Sequence, residues 1–400
     1  MNSQLSTLNS QLSTNTTILV LNCGSSSVKF KIFKFPEEKV LLKGIVERIG
    51  ATDSIVRIED EKRVTNIPDH HQAILVILDK IKNLNIEIDG IGHRVVHGGE
   101  YNKSMIINED VKRTIKKMFE IAPLHNPYNY EGIIACEKTL PGKKQVAVFD
   151  TSYFAELPDY AYLYGISYKY YKKYGIRKYG FHGTSHRYVS MEAAKILGED
   201  FKKLKIISCH LGAGSSITAT KDGKAIETSM GFTPLEGLIM ATRCGDIDPA
   251  VPLFIMTKEE LSPSKINVIL NKQSGIYGVS GISGDFRDIL KEMKEGNYRA
   301  KLAFKMFCYR VKKYIGSYYA ILGGLDVLIF TAGIGENVPL VREEITRNLE
   351  HLGIEIDHRK NRNPKNYIIS KETSKCKVLV IPTNEELMIA RETKNLISSS

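Results

Sequence analysis

Three early stretches, beginning at Thr17, Val28 and Lys39, read as strands: the first is a short apolar run, 18–21, and the second alternates apolar and polar positions over 28–32. A period of two predicts β-strands. Over 70–82 the apolar residues recur instead at three- and four-residue intervals, the stripe of an amphipathic helix. "DGIGHRVVHGG" reads as a strand running into a glycine turn. Helical patterns fill 109–121 and 128–138, and "QVAVFDTS" (145–152) is an apolar run that presents Asp150 at its end. The first part of the chain therefore predicts a β-meander followed by alternating helices and strands.

The later part repeats that plan. "KIISCHLGAGSSITATKDGKAIETSM" reads as strand, glycine turn, strand, Asp222-Gly223 turn and strand, and Asp-Gly between alternating runs is a strong hairpin signal. A long helix is expected over 298–322. "DVLIFTAGIGENVP" then predicts a strand, a glycine loop and a helix opened by Pro339. "NCGSSSVKF" (22–30) and "HLGAGSSIT" (210–218) thus share a strand, a turn of small residues and a returning strand. Duplicated hairpins facing each other across a cleft would clamp one nucleotide from both sides; a chance likeness is the other reading.

Glycine turns cradle phosphates because backbone N–H groups approach an anion only where no Cβ intrudes. Three such loops occur, at 22–27, 210–216 and 333–337. Each alone is equally an ordinary turn. Together, without G-x-x-x-x-G-K-[ST] or G-x-G-x-x-G, they favour a nucleotide clamp that is neither P-loop nor dinucleotide fold.

Composition narrows the class. The 400 residues exceed one compact core and suggest about two or three domains. Hydrophobic residues make up 42% and charged residues 25%, as in ordinary globular proteins. No run reaches the roughly 18 apolar residues that a spanning helix needs. The net charge of +11 comes from dispersed Lys-Lys pairs, which favours a solvated basic surface attractive to small anions over a nucleic-acid site. Six scattered cysteines without CxxC read as free thiols in a reducing compartment. Residues 1–16 carry a near-duplicate "NSQLST" and no apolar h-region, so a disordered polar extension or a start codon placed too early is expected, not a secretory signal.

"LNCGSSSVKF", "GHRVVHGGE", "APLHNP", "FDTS", "YGFHGTSH", "HLGAGSS", "TSMGFTPLEGL", "TRCGDIDP", "TAGIGEN" and "PTNEELMIA" resemble, in sequence order, the acetate kinase (acetokinase) family. The likeness runs from about residue 17 to residue 392. It implies the α/β fold of the actin, sugar kinase and Hsp70 superfamily: two related actin-like (ribonuclease H-like) ATPase domains with an interdomain active-site cleft. The expected division is 1–16 as the extension, 17–154 as domain I with 388–400 returning to it, and 155–387 as the nucleotide-binding domain II. The implied reaction is reversible transfer of the ATP γ-phosphoryl group to acetate, giving acetyl phosphate and ADP, with Mg²⁺ or Mn²⁺. A cytoplasmic homodimer with no nucleic-acid or membrane partner is also implied. Propionate or butyrate kinase is the alternative, because one methylene in an apolar pocket is worth only about 1–3 kcal/mol. An actin- or Hsp70-like nucleotide switch is the rival of another class; it has no use for Arg94, His182 and Arg243 together.

The chemistry asks for cations that let two anions meet in line. The resemblance places Arg94 and Arg243 at the substrate, where guanidinium forks suit carboxylate and phosphoryl oxygens. It assigns His182, expected before a helix capped by Thr184 or Ser185, to the transferring phosphoryl group, and adds His125. Histidines at 182/186 and 93/97 share i,i+4 spacing, but H-E-x-x-H is lacking, so a transition-metal site is disfavoured. Asp150 is given an active-site role; since the acid substrate carries no proton at neutral pH, orienting Arg94 or organising Mg²⁺ suits it better than proton transfer. Asn22 and Glu385 are the implied metal-side residues. For ATP the likeness implies Lys29, His210, Leu211, Gly212, Ala213, Gly214, Asp285, Phe286, Arg287, Gly333, Ile334, Gly335, Glu336 and Asn337. Val96, Leu124, Phe181 and Pro234 would enclose the methyl group. Two departures stand out: Ala213 replaces the family's usual asparagine, and "TSYFAELP" follows Asp150 where "DTAFHQTMP" is common.

Overall fold

The structure is a computed structural model that describes residues 15–123 and 125–399. Leu124 and most of the expected extension lie outside the described residues. Contacts divide the chain into two units, one running to Ser152 and resuming at Asn384, the other Tyr153–Thr383.

The first unit is built on β1 (Thr16–Gly24), β2 (Ser27–Phe35), β3 (Lys39–Glu47), β4 (Ser54–Ile58), β5 (Glu61–Thr65), β6 (Gly90–Val95), β7 (Met105–Ile106) and β8 (Lys144–Phe149). They form one sheet in the order β5-β4-β3-β2-β1-β6-β8-β7. The meander β1–β5 is antiparallel, while β6 runs parallel to β1 and β8 parallel to β6. Thr16 already pairs with Phe35, so the sheet begins inside the segment expected to be disordered.

Side-chain parity explains how the sheet is covered. Leu19, Leu21 and Ile91 join Ala73, Ile74, Ile77 and Ala135 in one core, which packs helices His70–Asn83 and Asn126–Thr139 on that face. The opposite parity brings Gly92 under helix Glu385–Ser398; a Cβ there would stand 2.4 Å from Thr393 Oγ1 and 2.7 Å from Ile389 Cγ2. Without that missing side chain the C-terminal helix could not lie so close to β6. The helix expected over 109–121 stops at Lys117. Met118 takes the C-cap, its N–H shared among the carbonyls of Thr114, Ile115 and Lys116.

In the second unit β9 (Ile206–Leu211), β10 (Ser215–Lys221), β11 (Lys224–Thr228), β12 (Val327–Thr331) and β13 (Lys377–Val380) take the order β11-β10-β9-β12-β13. β9–β11 is an antiparallel meander, and β12 and β13 continue it in parallel. Asp222 and Gly223 both have positive φ (53° and 75°), as the tight hairpin requires. Ile207, Cys209 and Leu211 pack against Phe304, Phe307, Val311 and Ile315 of helix Tyr298–Leu322. The other face, bearing Ser208 and His210, meets helix Gly183–Leu197.

The two units therefore share one five-strand plan, β3-β2-β1-β6-β8 and β11-β10-β9-β12-β13, with the same polarities. In each, the corresponding sheet face is covered by a helix whose first turn sits at the C-terminal ends of the parallel strands. Open α/β sheets bind ligands at those ends.

Candidate active site

In the first unit the site grows from register. β1 and β6 are paired through Leu21 and His93, so Asn22 and Arg94 follow side by side. Asn22 pairs with Lys29 on β2, and Arg94 with Val148 on β8, two residues before Asp150. Asn22, Lys29, Arg94 and Asp150 thus lie on one face, the face under helix Glu385–Ser398. Arg94 Nε and Nη2 donate to Asp150 Oδ2 at 3.1 and 2.7 Å, and Nε lies 3.6 Å from Glu385 Oε2. Asp150 is 1% exposed. Burial works against the charge on Arg94, but the Asp150 and Glu385 carboxylates outweigh it and raise its pKa. Burial likewise raises the Glu385 carboxyl, with Arg94 opposing and Asp150 and Glu386 adding to the rise. Glu386, the neighbour, pairs with Lys31 at 3.3 Å.

The loop after β6 is pinned by groups the motif reading missed. The Asn126 side chain accepts from His97 N–H at 3.0 Å and donates to His97 O at 2.9 Å. The Asn129 side chain accepts from Val96 N–H at 3.1 Å and donates to Cys23 O at 2.8 Å. His70 Nε2 donates to Gly24 O at 2.6 Å. The end of β1 that enters the β1–β2 turn is therefore held from behind, at Cys23 O and Gly24 O. Asn126 and Asn129 are buried, and their three-residue spacing on a helix opened by Pro127 was the available signal. Val96 is buried, and His125 occupies the N-cap position of that helix without a side-chain cap bond. His93 and His97 are each pushed down to about 4 by burial, and His93 Nε2 donates to Gln145 Oε1 at 2.7 Å. These are neutral structural imidazoles.

In the second unit His182 is itself the N-cap residue, at φ 58°, and makes no side-chain cap bond. Thr184 and Ser185, expected to cap, fall inside the first turn, where Ser185 bonds His210 Nδ1 (2.8 Å) and Thr383 Oγ1 (2.7 Å) instead. The left-handed backbone turns the His182 ring flat against His210, with centroids 4.2 Å apart. Its Nδ1 lies 2.9 Å from Ser216 Oγ. A Cβ on Gly214 would stand 3.4 Å from His182 Nε2 and 3.5 Å from Arg243 Nη1. Imidazole, guanidinium and a bare glycine backbone thus converge on one point.

Arg243 donates to Pro234 O at 3.2 Å and touches Met240 Sδ at 3.5 Å. Among the described residues no carboxylate lies within ion-pair distance of it. Burial alone lowers its pKa. A half-buried guanidinium with no carboxylate partner among the described residues suits an anion.

The remaining nucleotide candidates fall into two groups. Gly212 N–H bonds Gly214 O at 3.1 Å, and Ala213 O accepts from Ala241 N–H at 3.1 Å, so the 212–214 turn leans on the segment leading to Arg243. His210 and Leu211 end β9 directly before it. Gly333, Ile334, Gly335, Glu336 and Asn337 form no loop, contrary to expectation: Ala332–Asn337 is a short helix. Its start is fixed because Glu336 Oε1 accepts from Ala332 N–H (2.8 Å) and Thr383 N–H (3.1 Å). Its last carbonyls, Gly335 O and Glu336 O, accept from the buried Arg342 at 2.7 and 2.9 Å.

Asp285 caps helix Phe286–Lys294 by accepting from Arg287 N–H at 2.8 Å. Arg287 is exposed and folds back onto Asp285. Phe286 points into the core, 4.8 Å from the Phe307 ring centroid, so its side chain is not free for a nucleotide. Phe181 is buried beside His182.

The profile of the Acetokinase family matches residues 17–391. An acetate kinase of Dictyoglomus thermophilum is 55% identical over 395 residues, covering 95% of this chain and 99% of its own. The crystal structure of Porphyromonas gingivalis acetate kinase superposes with a TM-score of 0.91 at 46% identity, over 96% of this chain and 100% of that one. A propionate kinase from Francisella tularensis gives 0.90 at 44% identity, over 95% and 99%. The chain belongs to the acetokinase family.

Proposed function

We propose that this protein is an ATP-dependent kinase that phosphorylates acetate, reversibly forming acetyl phosphate and ADP. The observation that carries the reading is the counter-ion-free Arg243 set beside His182 at Gly214, a pocket for a phosphoryl group. An acetate oxygen attacks the γ-phosphorus, the bond to the ADP oxygen breaks, and no proton need move.

Arg94, oriented by Asp150 through two hydrogen bonds, would hold the acid. Arg243 and His182 would take the charge that spreads over the moving phosphoryl oxygens, the main task in such a transfer. The 212–214 and 333–337 segments and Lys29 would receive the nucleotide. Val96, Phe181 and Pro234 would supply apolar side chains for a methyl group.

Magnesium, or manganese in its place, fits the donor set. Asn22, Asp150 and Glu385 offer oxygen ligands, and the two carboxylates beside Arg94 exceed its single charge. When bound, the ion would neutralise phosphate oxygens. Incubation with Mg-ATP, hydroxylamine and acetate, propionate or butyrate tests the reading. Acyl hydroxamate should form fastest with acetate; none with any acid would defeat the kinase assignment, and faster propionate turnover would move it to the alternative.

A homodimer is part of this proposal. Helix Ala250–Lys258 has no buried residue and exposes Leu253 (65%) and Phe254 (63%), an apolar face suited to a second copy. Sedimentation velocity should find a dimer that Phe254→Asp weakens; a monomer before substitution removes the idea. A cytoplasmic setting accords with six free thiols. Among the described residues no helix is long and apolar enough to cross a membrane.

A further inference from the structure

Behind His182 runs a line of buried polar groups. Ser216 Oγ lies 2.9 Å from His182 Nδ1 and 2.7 Å from His186 Nε2, and His186 Nδ1 lies 2.7 Å from Ser208 Oγ. Ser208, Ser216 and His186 are each fully buried. Burial keeps His186 neutral, its pKa well below the ordinary value, so one of its ring nitrogens donates and the other accepts.

Only two proton orders satisfy that chain. In one, Ser208 O–H donates to His186 Nδ1, His186 Nε2–H donates to Ser216 Oγ, and Ser216 O–H donates to His182 Nδ1. In the other every bond is reversed, and the Ser208 hydroxyl proton then needs a further acceptor. Ser208 Oγ has His186 as its hydrogen-bond partner, and Ser216 Oγ is occupied by the two imidazoles. A buried donor without an acceptor costs about 1–3 kcal/mol. The first order leaves no hydroxyl proton stranded.

We propose that Ser216 is a positioning residue, locked by His186 and Ser208 so that His182 accepts at Nδ1 and carries its proton on Nε2. That nitrogen is the one facing the Gly214 and Arg243 point. The relay thereby turns His182 into a neutral donor toward phosphoryl oxygen and fixes its ring plane, as outer hydrogen bonds fix imidazoles elsewhere. It also accounts for a run of Ser and His on buried strands that would otherwise carry apolar residues. The inference rests on the kinase reading for its purpose but not for its geometry.

Two-bond ¹H–¹⁵N correlation spectra of the histidine-labelled protein, with the His182 signal assigned by its loss in His182→Gln, read the tautomer without substrate. A neutral ring protonated on Nε2 is expected; an Nδ1–H ring overturns the proposal and leaves the kinase reading standing. Kinetics give the second readout. Ser216→Ala should lower kcat by about 10- to 100-fold with KM for ATP and acid within about threefold, and Ser216→Thr, which keeps the hydroxyl, should recover most of it. If folded Ser216→Ala turns over normally, or Ser216→Thr fails as badly as the alanine variant, Ser216 does not position the ring.

Discussion

Replacing Arg243 with alanine is expected to lower kcat by about 100- to 1000-fold while the KM for ATP changes only a few fold, the effect of removing one preorganised donor from a developing oxyanion. The argument is electrostatic. Its guanidinium is desolvated and touches a carbonyl and a thioether instead of a carboxylate. Among the described residues no carboxylate offsets that charge. Its attraction therefore remains available to an anion that arrives, and grows as charge shifts onto the phosphoryl oxygens. Arg243→Lys should recover only part of the rate, because an ammonium offers a point charge where the fork offers two directed bonds. Fold is not at risk from the alanine change, since no acidic partner is left unpaired. Near-normal kcat in Arg243→Ala, measured by coupled ADP release, would sink its assignment to the transition state.

The plan of the molecule was legible where hydrophobic period and turn chemistry agree. The β1–β2 and β9–β10 hairpins, the Asp222-Gly223 turn and helix Tyr298–Leu322 all follow from local signals. So does Asp150 at the end of β8, because an apolar run must stop where a carboxylate begins. The segment 333–337 misled because its glycines signal a loop, whereas the outcome depends on Glu336 reaching back to Ala332 and on Arg342 binding its last carbonyls. Neither partnership has a local signature. The capping expectation at Thr184 or Ser185 failed for a similar reason: a histidine in the left-handed region starts that helix, and the Ser185 hydroxyl is claimed by His210 and Thr383.

The supporting groups were the least legible. Asn126, Asn129, Ser208 and Ser216 are short polar residues that sequence alone sends to the surface or to turns. Only burial reveals that they satisfy backbone or imidazole atoms. A sign was present in "SCHLGAGSSIT", where alternate positions of two apolar strands are polar. Such a face is stable only if its polar groups bond one another. The shared five-strand order explains why the two halves look alike in sequence yet differ in chemistry. In the first unit the covering helix brings a carboxylate, Glu385, to an arginine; in the second it brings an imidazole, His182, to a serine and a guanidinium.

Arg94→Met should be the more damaging change, because it removes a cation that two carboxylates share. Asp150 is 1% exposed and accepts both hydrogen bonds from Arg94, and Glu385 stands 3.6 Å from the same nitrogen. Breaking a buried pair from one side costs about 3–5 kcal/mol, which in a unit of this size lowers the melting temperature by roughly 10 °C. The pH dependence has a definite sign. Burial raises the Glu385 carboxyl and Arg94 opposes that rise, so without Arg94 the penalty on Glu385 is full at neutral pH and shrinks as acid protonates it. The melting deficit of Arg94→Met should therefore narrow as pH falls from 7 towards 5. Adding Asp150→Asn removes one of the stranded charges and should return part of the stability. It should not return activity: the acid has lost its guanidinium, and KM for acetate should stay about 10- to 150-fold higher, the loss of a charge-assisted bond. Stability and substrate affinity are thus separable at one residue. A single variant that kept both its melting temperature and its KM would show that Arg94 neither balances these carboxylates nor holds the acid.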